Sequence, residues 1–503
     1  MSERLATCWR GQPGRWLALA AIVAYLIFSW PRLIYPYDLD FIEDGMLMQA
    51  WRMAHSLSTY LPANAIFVPH AYPPLYPWLG SWLLRLAGAA FWPLRALSVL
   101  ATIATALILF GVARRESRSN LLAAAVMVLF FLGNRVVGGW YELARVDALF
   151  LMLVVAGFSL AVYRTDSMAG LIAAALALMA AFFSKQQGVL FFIAASCYLL
   201  WARRGRSWPF FAAGIGVGSL VFFWLQRTTS GGFGYYVFAI QGGSSDLQLI
   251  RLLRSLVWDF AGSMAALVAL LSLAVFLAWR RRGWRFFLLQ PWFFFTAVAV
   301  GVALLGRTSV GGNLNHLMPA YALLCLAPAL LWAELAQRPA SHRRRSRWIL
   351  GAALAMQLGL CFFNPARYLT SAVLPLQLTP TAAMRAAGDR LIARIAAADG
   401  PVLVLQHPFY ALLAGKEPAV QISALWHARR QGRDPLPDDL IALIRNKEAA
   451  MIIADDSDYF ETDPAWLQLL TTYYRPAGHL SPTEAPPTLS GMIVRPRTVY
   501  VPQ

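Results

Sequence analysis

Pro73-Pro74-Leu75-Tyr76-Pro77-Trp78-Leu79-Gly80-Ser81-Trp82-Leu83-Leu84-Arg85-Leu86-Ala87-Gly88 is the stretch on which the fold turns. It is apolar enough to enter a membrane, but it is short, rich in Trp and Pro, and interrupted by Arg85. A crossing helix needs about 20 mostly apolar residues, because lipid offers no partner for open backbone groups. Trp and Arg favour headgroup depth, so the stretch is predicted to lie along the membrane surface. Around it eleven apolar runs read as spans: 16–35, 93–113, 119–134, 148–163, 168–184, 187–202, 208–226, 257–279, 286–306, 316–336 and 348–364.

Charge supports that reading. With eleven spans and a cytoplasmic N-terminus, the inner loops hold 19 basic residues against four acidic ones. The outer loops are nearly balanced, and the segment after 364 is balanced. Basic loops stay on the cytoplasmic side. Were 73–88 a twelfth span, arginines 280, 281, 282 and 285 would face outward. The net charge of +18 is therefore a topology signal and calls for no nucleic acid. With 59% hydrophobic and 14% charged residues over 503 positions, and a mean hydropathy of +0.54, the composition excludes a soluble enzyme, a disordered chain and a coiled coil. Four scattered cysteines make neither a disulfide framework nor a zinc site. The first run ends in Trp30-Pro31-Arg32, so no cleavable signal peptide is expected.

The expected organisation is a transmembrane domain, 1–364, with a first outer loop at 36–92, and an extracytoplasmic α/β domain, 365–503. In the second, 381–398 shows helical periodicity, 402–405 and 451–454 read as buried strands, 437–447 and 464–473 as helices, and 492–494 as a last strand. Asp455-Asp456-Ser457-Asp458 reads first as a solvated loop and second as a cation site.

Polar residues at membrane depth are costly and mark function by default. They gather on the outer side. Asp38, Asp40, Glu43 and Asp44 follow the first span within seven residues, and a helical stretch from Gly45 to His55 comes next. One carboxylate would act as general base on a hydroxyl and another as a metal or sugar ligand. The same residues also suit an acidic helix start. Arg95, Arg145, Asp147, Lys185, Arg307 and His316 stand at the outer ends of spans. Lys185 is one of three lysines against 40 arginines. It could hold a phosphate as a point charge, or snorkel, or pair with Asp147. Gly312-Asn313-Leu314-Asn315-His316 is rich in hydrogen-bonding groups, and a tight turn explains it equally. The loop 227–256 could close over a site, or simply connect two spans.

Glu43-Asp44 with Leu47-Met48-Gln49-Ala50-Trp51-Arg52, Tyr72-Pro73-Pro74-Leu75-Tyr76, Arg95-Ala96-Leu97-Ser98, Arg145-Val146-Asp147, Ser184-Lys185-Gln186 and Gly312 to His316 together resemble the GT-C superfamily of membrane glycosyltransferases. The likeness is to its aminoarabinose-transferase and protein O-mannosyltransferase-like branch, over most of 16–340. It implies a carboxylate base among Asp44, Glu43 and Asp40, with Asp44 first. It implies donor-phosphate binding by Lys185, Arg307, Arg145 and His316, and substrate binding by Tyr72, Tyr76, Asn313 and Asn315. A polyprenyl-phosphate-linked sugar is the implied donor, with a lipid, glycan or protein acceptor. No cofactor is certain; a divalent cation is the open option. The chain departs from the pattern in reading Glu-Asp where Asp-Glu is usual, and Gln186 where Gly often follows the lysine. The expected protein is an inverting glycosyltransferase of the plasma (inner) membrane, acting on the outer face. The competing readings are a secondary transporter and a non-catalytic component of envelope polysaccharide export.

Overall fold

The computed structural model describes residues 12–240, 248–286, 290–309, 312–337, 340–363, 378–456 and 463–503. It opens with α1 (Gln12–Leu33), α2 (Phe41–Ala54), α3 (Leu75–Ala87), α4 (Trp92–Ser117), α5 (Asn120–Val136), α6 (Val146–Tyr163), α7 (Met168–Ser184), α8 (Gly188–Arg203) and α9 (Trp208–Thr228). Then come α10 (Ala265–Arg282), α11 (Pro291–Thr308), α12 (Met318–Leu324), α13 (Ala327–Leu335) and α14 (Ala340–Phe363). Among the described residues six helical segments are long and apolar enough to cross a membrane, and a bent pair counted as one span makes a seventh. Asn120–Val136, Met168–Ser184, Gly188–Ala202 and Arg347–Phe362 are shorter apolar helices. The chain is an integral membrane protein. Each of the eleven apolar runs falls on a helix or a broken helix.

Among the described residues, one run is broken where the sequence reading has a single span. Leu249–Ser263 meets Ala265–Arg285 at 89°. The bend follows the wide π-type turns of Ser255–Ser263 and the pair Gly262-Ser263, both common causes of kinks. The run 316–336 stays one apolar segment, Leu314–Leu335, with a turn between α12 and α13 where Pro328 cannot donate to the preceding turn.

Helix α3 is the stretch 73–88. Its 13 residues rise about 20 Å, short of a hydrocarbon core of about 30 Å. Trp78, Trp82 and Leu86 form an exposed stripe at four-residue spacing, while Tyr76, Gly80 and Leu84 pack inward. Helix α2 begins at Asp40, whose side chain accepts from the Ile42 N–H, with Glu43 and Asp44 in the first turn.

The C-terminal segment adds α15 (Ala382–Ala396), β1 (Val402–Val404), α16 (Pro408–Leu413), α17 (Ile422–Ala428), α18 (Asp438–Arg445), β2 (Met451–Asp455), α19 (Pro464–Tyr473), β3 (Tyr474–His479) and β4 (Pro496–Pro502). The sheet order is β1-β2-β4-β3. β1 runs parallel to β2, with Val402 opposite Met451. β4 is antiparallel to both β2 and β3. The expected strand at 492–494 is not one. Its backbone pairs with Thr488 across a turn at Gly491, and the last strand starts at Pro496. β3 carries Pro476, Gly478 and mostly exposed side chains, which conceal it from a hydrophobic pattern.

This segment does not stand apart from the bundle. Leu489 and Ser490 N–H groups donate to the Leu39 carbonyl at 2.8 Å, and Val420 N–H donates to Ala65 at 2.9 Å. Tyr37 donates to Asp389 at 2.5 Å, and Arg32 reaches Leu378 and Ser490. The first loop is therefore clamped between helices and sheet.

Candidate active site at one end of the helix bundle

Charged side chains collect at one end of the bundle. Arg95 starts α4, while Arg114 and Arg115 lie in its last turn, some 30 Å away. Arg145 caps α6, Lys185 caps the C-terminal end of α7, and Arg307 ends α11. All of these sit on the end carrying the first loop.

The four carboxylates of that loop have four different surroundings. Glu43 is fully buried, and Arg95 grips it with two bonds of 2.9 and 2.7 Å. Leu39 and Ala144 N–H groups add two more at 2.6 Å. Arg95 also donates to the carbonyls of Arg32, Tyr35 and Tyr37. Asp44 points into the C-terminal segment, where the Phe409 N–H donates to both its oxygens at 3.1 and 3.0 Å. Burial and Asp38 raise Asp44 well above the usual carboxylate range. Asp38 accepts from Tyr410 and meets His407 at 2.6 Å. His407 reaches Asp455 at 2.8 Å on its other side. Burial works against a charged imidazole there, yet Asp38 and Asp455 together raise His407 well above its ordinary value.

Asp40 alone of the four lines a cavity, of about 240 Å³. One oxygen accepts from Arg145 at 2.6 Å and from Ile42 N–H at 3.1 Å. The other oxygen has no hydrogen-bond partner among the described residues. Burial outweighs Arg145 and pushes Asp40 up to about 6. Arg145 lies over the Trp140 ring at 4.1 Å and donates to Tyr72 at 3.1 Å. Its Nε is 3.4 Å from Asp147. Lys185 Nζ contacts Asp147 at 2.7 Å, and Asn315 donates to the same carboxylate at 3.0 Å. His316 meets Gln187 at 3.0 Å, seated against Gly306, where a Cβ would displace its ring.

The cavity thus gathers Asp40, Tyr72, Arg145, Lys185, Asn313, Asn315 and His316. It does not include Asp44, Glu43, Tyr76 or Arg307. Tyr76 donates to the Leu94 carbonyl and meets Ser98, both inside the protein. Arg307 pairs with Asp259 at 2.9 Å and holds the Gly312 carbonyl at 2.8 Å. Lys185 is not a lone charge; it takes the Asp147 pairing. Gly45 does not open a path beside Asp44, because the His70 ring fills the space a Cβ would occupy. Lining residues outside the expected set are Trp140, Gln186, Gln187, His70 and, from the C-terminal segment, Ser423 and His427. Nothing local in the sequence marks Ser423 or His427, since about 380 residues separate them from Asp40.

Among the described residues no group of three or more His, Cys, Asp or Glu is arranged to hold a metal ion. Asp455 is engaged with His407, and Ser457 and Asp458 of the acidic run lie outside the described residues. Gly311 and residues 241–247 of the long loop also lie outside them.

Residues 71–225 match the dolichyl-phosphate-mannose-protein mannosyltransferase family. The whole chain superposes on ArnT from Cupriavidus metallidurans bound to undecaprenyl phosphate with a TM-score of 0.59, at 15% identity, covering 96% of this chain and 97% of that one. The chain has an ArnT-like fold. The apo state of the same ArnT gives a TM-score of 0.58 at 17% identity, covering 99% and 98%. The archaeal oligosaccharyltransferase AglB from Archaeoglobus fulgidus, in complex with an inhibitory peptide and a dolichol-phosphate, gives 0.55 at 11% identity, covering 95% and 74%. No curated protein matches the chain by sequence. The family match begins at Ala71, so Asp38, Asp40, Glu43 and Asp44 lie outside it.

Proposed function

We propose that the chain is an inverting glycosyltransferase that moves a sugar from a polyprenyl-phosphate donor to an acceptor hydroxyl at the outer face of the membrane, with Asp40 as the base. The observation carrying this is one cavity lined by the Asp40 carboxylate together with Arg145 and Lys185. The family match and the undecaprenyl phosphate and dolichol-phosphate named with the similar structures support a lipid-linked donor. The Arg-rich loops at the other end of the bundle support the outer placement.

In this reading Asp40 takes the proton of the acceptor hydroxyl, whose oxygen attacks the anomeric carbon. The bond from that carbon to the phosphate oxygen breaks, and single displacement inverts the centre. Arg145 and Lys185 share the charge left on the phosphate. Without a donor the two cations are balanced by Asp40 and Asp147, so an incoming phosphate competes with these carboxylates for them. Asn313, Asn315, His316 and Tyr72 complete the phosphate end.

The test is mass spectrometry of lipid co-purified with the protein, paired with transfer assays on Asp40→Asn. A polyprenyl-phosphate sugar together with a rate loss of about 10²- to 10⁴-fold is expected. Unchanged turnover in Asp40→Asn, with loss in Asp44→Asn, would move the base out of the cavity.

A further inference from the structure

The cavity has a second wall, opposite in character to its charged end. Ser423 and His427 are four residues apart on α17, so both face the same way. His70 lines the cavity with them. We propose that Ser423, His427 and His70 form the subsite for the hydroxyls of the transferred group, and that this group is an uncharged sugar. The proposal rests on Arg145 and Lys185 being the phosphate end. A sugar joined to that phosphate extends into the remainder of the same cavity.

Four observations carry it. Ser423 lines the cavity and is 2% exposed, and its Oγ has no hydrogen-bond partner among the described residues. A buried hydroxyl without a partner is costly, and a ligand hydroxyl would satisfy it. Secondly, α17 is firmly held. Ile422 N–H donates to Leu405 at 2.9 Å, and Gln421 spans the carbonyls of Phe41 and Gln406 at 2.7 and 2.8 Å. Arg429 closes the other end on Asp463 and the Asp434 carbonyl. The wall is preformed, as a specificity subsite requires.

Thirdly, both histidines are neutral at working pH. Burial pushes His70 down to about 3 and His427 down to about 4. A neutral imidazole offers one donor and one acceptor, the pattern of a hydroxyl. Fourthly, among the described residues Asp40 is the one carboxylate bordering the cavity, and Arg145 holds it. Among those residues an ammonium on the sugar would find no free anion, and a sugar carboxylate no cation beyond the two that face the phosphate.

The experiment compares wild-type protein, Ser423→Ala and His427→Gln in detergent. Probes are bare undecaprenyl phosphate, its neutral hexose and pentose derivatives, and its 4-amino-4-deoxyarabinose derivative. Ser423 Oγ makes no hydrogen bond among the described residues, so its removal should leave melting unchanged. Wild type is expected to bind at least one neutral derivative more tightly than bare lipid and than the amino sugar. Each variant should lose about 2- to 13-fold of affinity for that derivative, the range of one neutral hydrogen bond, and none for bare lipid. Equal weakening toward bare and sugar-bearing lipid would overturn the subsite, as would tightest binding of the amino sugar. Failure of wild type to bind bare undecaprenyl phosphate would instead remove the phosphate end, and the subsite with it.

Discussion

At the scale of single residues, partners separate carboxylates that spacing leaves equivalent. Glu43 accepts four hydrogen bonds and fixes Arg95 beneath the first loop. Neutralising it strands a buried guanidinium. Glu43→Gln should therefore cost about 3–5 kcal/mol of stability, read as a lower melting midpoint before any catalytic effect. Asp40→Asn should behave differently, because Asn still caps α2 and Arg145 retains Asp147, Trp140 and Tyr72. Its melting should change little while transfer collapses. The upward shift of Asp40 to about 6 gives a sign for pH. A base must be deprotonated, so kcat/KM should fall as pH drops through about 6, tenfold per unit below it. A profile flat down to pH 5 would exclude Asp40 as the base.

At the scale of elements, short α16 holds the loop to the sheet. Its Phe409 N–H closes on Asp44, and the Phe409 ring packs edge-on to Phe91 at 5.3 Å. His407, just before it, bridges Asp38 and Asp455. A histidine raised in the folded state contributes stability that is complete below pH 6.5 and is lost as pH rises through the folded value. Protection against hydrogen exchange in α16 and α17, taken relative to the intrinsic base-catalysed rate, should therefore fall at alkaline pH. His407→Ala should show fast exchange there at every pH. Identical protection in the variant would mean that α16 docks without the imidazolium. The C-terminal end of α7 has a simpler logic, since a helix end favours a cation, and Lys185 stands there with Asp147 opposite. Lys185→Ala should weaken binding of undecaprenyl phosphate more than it lowers melting, because Arg145 still pairs with Asp147.

At the scale of the molecule, the arginine pattern predicts how the bundle, and hence the cavity, is oriented. Reporter fusions at Arg118 and Arg282 should give cytoplasmic signals, and a fusion at Gln503 an external one. A cytoplasmic signal at Gln503 would place the cavity on the wrong side for a donor in the outer leaflet. The C-terminal segment also supplies one wall of the cavity and the partners of Asp38 and Asp44. Truncation after Phe363 should thus abolish transfer, even where the helices still insert.

Apolar run length, Arg placement and the Trp-rich stretch at 73–88 determined the helical membrane class, because hydrocarbon imposes a one-dimensional rule that needs no tertiary knowledge. The same reading located the first loop and the helix-end cations, since rare charges beside apolar runs stand out. The helix break at Met264 was not legible, because a kinked helix and a straight one share a composition. Nor was β3, whose strand is defined by pairing with β4 rather than by its own side chains. Only the folded chain could rank Asp38, Asp40, Glu43 and Asp44. Their partners lie on α4, α6 and the C-terminal segment, up to 372 positions away, and a carboxylate's role is set by what is brought to it through space.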